Sequence, residues 1–195
     1  MSLQQQVIQR LEQLVSQGPQ SIEAVMPATP DKGYIIGVPA DEHGRSGVSL
    51  NLADYDRYSV TLRHLEVFNQ TIGVESVEVE NYLRQVATEI SQRLTYLEEP
   101  LTLVELNMVD NIAQLRSSPP QQQSLNESTY WEVMLYVTPH PHARLTRYRW
   151  TADSHERVAM AYPATFAMLG RLAEDLVESL GVVCDVNRSV LESQK

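Results

Sequence analysis

The feature of this sequence that most constrains its fold is the order in which two hydrophobic periods follow each other. Two stretches, residues 75–97 and 163–181, carry apolar residues at steps of three and four, the spacing of one face of a helix. Ahead of each stretch, shorter segments alternate apolar with polar residues, which is typical of strands with one buried face. The sequence therefore predicts strands, a long helix, more strands and a second long helix.

A shorter helix is predicted ahead of this pattern, over residues 2–17. Ser2 can cap its first turn, and Gln5 lies at the position that completes a capping box. Gly18 followed by Pro19 is a strong stop signal. We therefore expect the chain to begin with a separate helix.

The predicted strands cover residues 34–38, 48–53, 58–62, 101–108, 129–137, 143–150 and 158–161. The segments 129–137 and 143–150 are expected to form a long antiparallel hairpin. Beyond Leu62 the apolar phase shifts to Leu65, and a strand cannot change faces without an extra residue. We therefore expect a bulge or bend near Arg63 and His64.

Together these segments predict an α+β fold in a single domain. Adjacent strands with short connections pair antiparallel, and the two long helices pack on one face of the sheet or sheets. The chain divides into an N-terminal helix at 1–18, a linker at 19–32, units of three strands and a helix at 33–97 and 101–181, and a frayed tail at 187–195. The repeated unit suggests a duplication of topology, without a repeat at the level of residues.

Two segments need a separate interpretation. Residues 101–108 are partly apolar on both faces, which favours a central strand covered on two sides or a strand with one face in an interface. Residues 117–128 read SSPPQQQSLNES, which is too polar to offset the entropy of ordering by burial. We expect a mobile loop there.

Composition limits the classes of partner. The formal net charge of −10 repels phosphate backbones, so nucleic acid is a disfavoured partner. The single cysteine, Cys184, excludes an internal disulfide and lies in an apolar run, where we expect a buried and unreactive thiol. No apolar stretch approaches the roughly 20 residues of a membrane span. Residues 1–9 lack the pattern of a secretory signal, so we expect a cytoplasmic protein without membrane insertion.

Two pairs of polar residues have the types that bind metal ions, and each has a simpler interpretation. His140 and His142 flank a proline at a hairpin tip and could chelate a transition metal only with a third ligand. Asp54 and Asp56 could hold a divalent cation or share a proton, but aspartate is also a preferred turn residue. We predict no catalytic residue, metal or cofactor, and we favour a protein that is not an enzyme.

The most unusual segment is an arginine-rich strand. Arg144, Arg147 and Arg149 interleave with Tyr148 and Trp150 in an otherwise acidic chain, and we predict these five residues as a binding patch. Alternation places Arg147 and Arg149 together, where they could clamp a carboxylate or phosphate on the outer face of the sheet. The same pattern fits contacts to single-stranded nucleic acid, or an edge strand whose charges prevent aggregation.

Our leading hypothesis is a non-enzymatic protein-interaction module, an adaptor, assembly factor or chaperone-like protein that binds another protein or its own copy through a sheet surface. The order of elements is broadly similar to that of small acidic secretion chaperones, a likeness of topology that carries no function by itself. The alternative is a small-molecule binder or enzyme with a pocket between sheet and helices, closed by the loop 117–128. In that case Arg147, Arg149 and a histidine, His64 or His140, would face the cavity.

Overall fold

The computed structural model describes residues 1–22, 25–27, 33–75 and 78–182. Within these ranges the α-helices are α1 (Leu3–Gln17), α2 (Val79–Arg93) and α3 (Phe166–Leu180), each 15 residues long. A 3₁₀ turn, Pro19–Ser21, follows α1. The strands are β1 (Val25–Pro27), β2 (Tyr34–Pro39), β3 (Ser46–Tyr55), β4 (Ser59–Asn69), β5 (Leu101–Asn107), β6 (Ile112–Ser117), β7 (Gln121–Ser124), β8 (Glu127–Val137), β9 (Pro141–Thr151), β10 (Arg157–Met160) and β11 (Tyr162–Thr165).

All these strands belong to one antiparallel sheet. The main order is β1-β2-β3-β4-β9-β8-β6-β5, while β7 pairs with β8, β10 with β9 and β11 with β4. The predicted long hairpin is confirmed, because β8 and β9 pair along their whole length, from Glu127–Thr151 to Val137–Pro141. The predicted α+β class with an antiparallel sheet is likewise confirmed.

The core lies between the sheet and a single layer of helices. In the described ranges, α3 packs over β3, β4 and β9, α2 packs over β5, β6 and β8, and α1 contacts α3 and β2. The strand residues that face this layer without any exposure include Leu50, Leu65, Leu115, Val133 and Leu145. Helices α1 and α3 approach closely at Gly170, where a Cβ atom would lie 2.8 Å from the carbonyl oxygen of Gln4. The helices therefore occupy one face, as predicted.

The helix starts follow from local capping. The predicted capping box is confirmed, since Ser2 Oγ accepts from the Gln5 amide at 3.3 Å and the Gln5 side chain accepts from the Ser2 amide at 3.2 Å. Helix α3 begins later than predicted: Pro163, expected in its first turn, lies in β11 opposite Thr61. Thr165 caps the helix instead, by accepting from the backbone of its first turn. Proline is tolerated in β11 because this short strand lies off the main path of the sheet.

The bulge predicted near Arg63 and His64 is confirmed. The register of β3 and β4 shifts at Arg63, between the pairs Asn51–His64 and Leu52–Leu62. The shift allows β4 to bury apolar side chains on the helix side both before and after it.

Strand β5 is an edge strand, not the central strand that its two-sided apolar pattern favoured. A bulge between Leu103 and Glu105 changes which face the side chains occupy, so that Leu103 and Leu106 both pack against the core. Val104, at the bulge, is half exposed. The apolar residues on both apparent faces therefore result from a change of phase, not from a second covering layer.

The segment 117–128 differs from the mobile loop that we expected. It contains the end of β6, the short strand β7 and the start of β8, and Gln121 pairs with Thr129. The side chain of Gln121 accepts hydrogen bonds from Thr129 Oγ1 at 3.2 Å and from Arg147 Nη2 at 2.8 Å. Polar side chains thus order this segment through hydrogen bonds, which its composition did not reveal.

Some predictions fall outside the described part of the chain or stay untested. Cys184 and the tail 187–195 lie outside the described residues, and the linker 19–32 is described only for its 3₁₀ turn, Ile22 and β1. The single-domain boundaries and the duplication remain predictions. Among the helices described, none combines the length and apolar character needed to cross a bilayer.

Candidate binding site on the open sheet face

The site of interest lies on the sheet face opposite the helix layer. The cross-strand row Leu65–Leu145–Val133–Leu115 faces the helices, so the neighbouring rows on β4, β9, β8 and β6 point the other way. We call this surface the open face, since no described helix packs on it. Its rows are His64–Thr146–Glu132–Arg116, Glu66–Arg144–Met134–Gln114 and Phe68–His142–Tyr136–Ile112.

A buried carboxylate lies at the centre of the open face. Glu132 is only 1% exposed, although it lies on the face without helices. It accepts hydrogen bonds from Gln114 Nε2 at 2.7 Å, Arg116 Nε at 2.9 Å and Arg157 Nη1 at 2.5 Å. Buried charges need such partners, and here long arginine side chains supply both the partners and the cover.

The two arginines outnumber the carboxylate that binds them. The side chains of Arg116 and Arg157 are 38% and 43% exposed, while Glu132 lies beneath them. Each guanidinium has five N–H donors in a rigid plane, and Glu132 engages only one of them on each arginine. The cluster therefore carries one excess positive charge and offers donors to a ligand at the surface.

Two tyrosines hold the guanidinium groups in place. The rings of Tyr130 and Tyr148 stack with their centroids 5.8 Å apart. Arg116 lies over Tyr130 at 5.4 Å and Arg157 over Tyr148 at 4.7 Å. Burial, followed by the charge of Glu132, raises the pKa of Tyr148, so this ring stays neutral in the cluster.

A groove of about 290 Å³ borders the two arginines. Its lining residues come from β5, β6, β8 and β10: Glu105, Asn107, Ile112, Gln114, Arg116, Met134 and Arg157. The volume is at the lower end of the range for small-ligand sites, and it suits one side chain or a short segment of chain. Guanidinium groups, apolar side chains and the carboxylate of Glu105 all line it, which favours a ligand of mixed character.

A second ion pair extends the open face toward β4. Arg144 forms a salt bridge with Glu66, and His64 Nε2 lies 3.8 Å from the same Glu66 oxygen. Burial lowers the pKa of His64, and the nearby charge of Glu66 opposes this effect without cancelling it. His64 is therefore mainly neutral at pH 7.

The structure divides the arginine-rich strand between the two faces. Arg144, Tyr148 and Trp150 lie on the open face, as the alternation indicates. Arg147 lies on the helix side and is only 3% exposed, so the expectation that it forms an outer clamp with Arg149 is wrong. Arg149 is exposed. The clamp fails because Arg147 is in phase with the core residue Leu145.

Arg147 is the centre of an inner cluster on the helix side. Its guanidinium lies 5.1 Å from the ring centroids of both Trp131 and Tyr162. Its Nη2 donates to Gln121 and to Thr129 Oγ1, at 2.8 and 3.0 Å, and lies 2.8 Å from a Glu98 oxygen. The segment between α2 and β5, the β7 strand and β11 thus cover this end of the sheet.

The other predicted residues have local roles in the described structure. Asp56 accepts from the backbone amides of Tyr58 and Ser59, and the first of these bonds is the main reason that its pKa is lowered. His142 stacks on Tyr136 with centroids 4.6 Å apart. The parts of the chain that the structure describes contain no group of three potential metal ligands.

The sequence analysis missed Glu132 and Arg116, and its predicted patch of five residues did not include Arg157. Arg116 lies 16 residues from Glu132 along the chain and Arg157 lies 25 residues from it. The three side chains meet only through the pairing of β6, β8, β9 and β10. One signal was available: Glu132 is a charged residue in a strand of apolar and aromatic residues.

The architecture defines a class, an α+β protein with one broad antiparallel sheet and helices on a single face. No protein-family model matches the chain, and neither a curated protein nor a solved structure is significantly similar to it. The geometry of the site is therefore the only basis for proposing a function.

Proposed function

We propose that this chain is a non-enzymatic protein-interaction module, an adaptor, assembly factor or chaperone-like protein that binds another protein through the open face. The partner contributes an extended segment in which one carboxylate side chain is flanked by apolar residues. The observation that carries this proposal is the pair of half-exposed guanidinium groups, Arg116 and Arg157, held from beneath by the buried Glu132.

The first support is preorganisation. Arginine side chains lose rotamer freedom when they bind a ligand, and that loss weakens affinity. Here Glu132 and the rings of Tyr130 and Tyr148 already fix both guanidinium groups. A carboxylate that binds them forms charge-assisted hydrogen bonds without this cost.

The second support is the match between the groove and a mixed ligand. Ile112 and Met134 offer apolar contacts beside the guanidinium groups, while Glu105 lies on the same groove and repels a ligand with several negative charges. The net charge of −10 also repels polyanions such as nucleic acids. An isolated carboxylate in an apolar segment satisfies these conditions best.

A second copy of this chain fits the open face less well. In a symmetric dimer the same patch contacts itself, so a two-fold axis that passes through this cluster would bring Arg116 and Arg157 of one copy close to the same two arginines of the other. Like charges at an interface cost several kcal/mol, roughly, when they are not compensated. The partner is therefore a different protein.

The small-molecule alternative lacks the convergence that it requires. Arg147 is buried on the helix side, Arg149 is exposed and His64 lies on the open face, so these groups do not line one cavity. A larger groove of about 590 Å³ lies elsewhere, and residues of α1, the β3–β4 turn and the start of α3 line it. We therefore retain protein binding as the proposed function.

The test is selection of peptides from a displayed random library on the immobilised protein. We expect enriched peptides to contain a single Asp or Glu among apolar residues. Their affinity should fall about 10- to 100-fold for the double variant R116Q/R157Q, because charge-assisted bonds are lost. Glutamine still offers an N–H donor to Glu132 but no positive charge, so circular dichroism must first show that the double variant is folded.

The matched control is Arg84→Gln. Arg84 is an exposed arginine of α2 that pairs only with Glu80 among the described residues, on the helix side of the molecule. Its replacement should leave peptide affinity unchanged. Enriched peptides without a carboxylate, or equal affinity for wild type and R116Q/R157Q, would refute the proposal, as would tighter binding of a single-stranded oligonucleotide than of any peptide.

A further inference from the structure

The groove beside the two surface arginines also contains a second carboxylate. Glu105 of β5 lies directly opposite Gln114 of β6, so its side chain belongs to the open face. It lines the same groove of about 290 Å³ as Arg116 and Arg157. Since Glu132 lies beneath these arginines, the groove combines two guanidinium groups with two carboxylates. A ligand with a single charge can therefore complement only one part of the groove.

The polar neighbours of Glu105 on the groove wall bind other groups. Gln114 donates from Nε2 to Glu132 at 2.7 Å, and Asn107 donates from Nδ2 to Asp110 at 2.8 Å. Glu105 is exposed, so water solvates its carboxylate in the free protein. A partner segment that covers the groove removes this water, and a charge that is buried without a compensating group is costly. The segment must therefore bring a group that binds Glu105.

We propose that the partner segment presents a lysine or arginine side chain to Glu105, in addition to the carboxylate that binds Arg116 and Arg157. This inference rests on the proposed function and adds a second recognition element to the same site. Glu105 is then the residue that selects the basic side chain. It also rejects segments in which a second acidic residue occupies that position, because like charges in an interface are unfavourable.

The geometry of the sheet indicates the spacing between the two charges of the partner. Arg116 lies two residues beyond Gln114 on β6, which makes it a diagonal neighbour of Glu105. Diagonal neighbours in an antiparallel pair are about 7–8 Å apart. In an extended peptide, residues i and i+2 point to the same side and are also about 7 Å apart. The acidic and basic residues of the segment are therefore separated by one residue.

The first test selects the displayed random peptide library in parallel on the wild-type protein and on Glu105→Gln. Wild-type protein should enrich Lys or Arg two positions from the Asp or Glu. E105Q should retain the acidic residue and lose the preference for the basic one. Glu12→Gln, which changes an exposed glutamate of α1, is the matched control and should select the same peptides as wild type. Circular dichroism checks that both variants are folded.

The second test measures the affinity of three synthetic peptides derived from one selected sequence. The first is the selected peptide, the second has glutamine in place of its basic residue, and the third has the basic residue moved by one position. On wild-type protein the first should bind about 5- to 10-fold more tightly than either of the others, as expected for an ion pair at the edge of an interface. On E105Q all three should agree within about twofold.

The outcomes distinguish this inference from the proposed function. Selected peptides with a carboxylate but without a basic residue at this spacing would overturn the inference alone. The same conclusion would follow if the basic preference persisted in E105Q, or if it were also lost in E12Q, which would indicate an effect of net charge. Equal affinity of the selected peptide and its shifted isomer on wild-type protein, a comparison that needs no variant, would overturn it as well. Peptides without any carboxylate would refute both proposals.

Discussion

The two faces of the sheet carry arginine clusters of opposite design. On the helix side, the buried Arg147 lies near two carboxylates, Glu98 and Glu99. On the open face, the buried Glu132 binds two arginines, Arg116 and Arg157. Aromatic rings flank the guanidinium groups in both clusters. The inner cluster buries a guanidinium together with one of its carboxylates, Glu99, whereas the outer cluster buries only the carboxylate of Glu132.

This difference separates a structural cluster from a surface available for binding. The buried guanidinium of Arg147 donates its hydrogen bonds to groups inside the protein, so that the inner cluster stabilises the fold. Burying the carboxylate instead leaves guanidinium donors at the surface, fixed but only partly used. The contrast predicts that the inner cluster contributes more to stability and the outer cluster more to recognition.

The largest effect is expected from Arg147→Met. Removing the buried cation leaves Glu99 buried without its ion-pair partner, which typically costs about 3–5 kcal/mol. The free energy of unfolding from urea denaturation measures the loss. Arg149→Met, an exposed neighbour on the same strand, is the matched control and should change stability by less than about 0.5 kcal/mol. A loss below about 1 kcal/mol for R147M would remove the distinction between the clusters.

A smaller loss, about 1–3 kcal/mol, is expected from Glu132→Leu. The variant loses three charge-assisted hydrogen bonds, but both arginines are partly exposed and can bind water instead. Peptide affinity should fall as well, because the guanidinium groups are no longer fixed. If E132L destabilises the protein as much as R147M does, then partial exposure of the arginines has no energetic importance and the contrast is wrong.

The pH dependence of stability sharpens the account of the inner cluster. Burial raises the pKa of Glu99 and the charge of Arg147 opposes this only partly. Since the folded pKa exceeds the unfolded value, Glu99 contributes stability at low pH that is lost as pH rises through its folded pKa. Glu99→Gln should abolish this loss, so the stability of the variant relative to wild type should increase between pH 4 and pH 8. Parallel profiles from urea unfolding would contradict the assignment.

The smallest effect is expected from the exposed pair Arg144 and Glu66. A double-mutant cycle with R144Q and E66Q should give a coupling energy of about 0–1 kcal/mol, which falls further in high salt. The same cycle on Arg116 and Glu132 should give a larger value, because one partner is fully buried. Equal coupling energies in the two cycles would mean that burial of Glu132 adds nothing.

The helices and strands were predictable where the spacing of apolar residues stays regular along the whole segment. Helix α2 and the β8–β9 hairpin follow directly from their apolar spacing, and the bulge at Arg63 follows from a break in that spacing. Strand β5 was misplaced because its bulge shifts the phase, and a shifted one-sided strand resembles a two-sided one. For residues 117–128, the prediction of a mobile loop rested on the small amount of apolar surface. It did not take into account hydrogen bonds such as those of the Gln121 side chain.

The candidate site was less predictable than the fold. Alternation correctly grouped Arg144 with Tyr148 and Trp150, but it could not say which face the helices cover. One clue was available, because Arg147 lies two residues from the apolar Leu145 and therefore points to the same face of the strand. Glu132 meets Arg116 and Arg157 only through cross-strand pairing, which no single segment of the sequence encodes.

The bulge in β5 has a consequence for how this protein behaves at high concentration. A border strand in regular pleat offers a continuous row of free amides and carbonyls, which is the template for fibre growth. At Val104 the bulge interrupts the regular spacing of these backbone groups. An added strand could therefore hydrogen-bond only in short stretches on either side of the bulge. The bulge therefore hinders the addition of further strands at this edge of the sheet and favours a protein that stays dispersed.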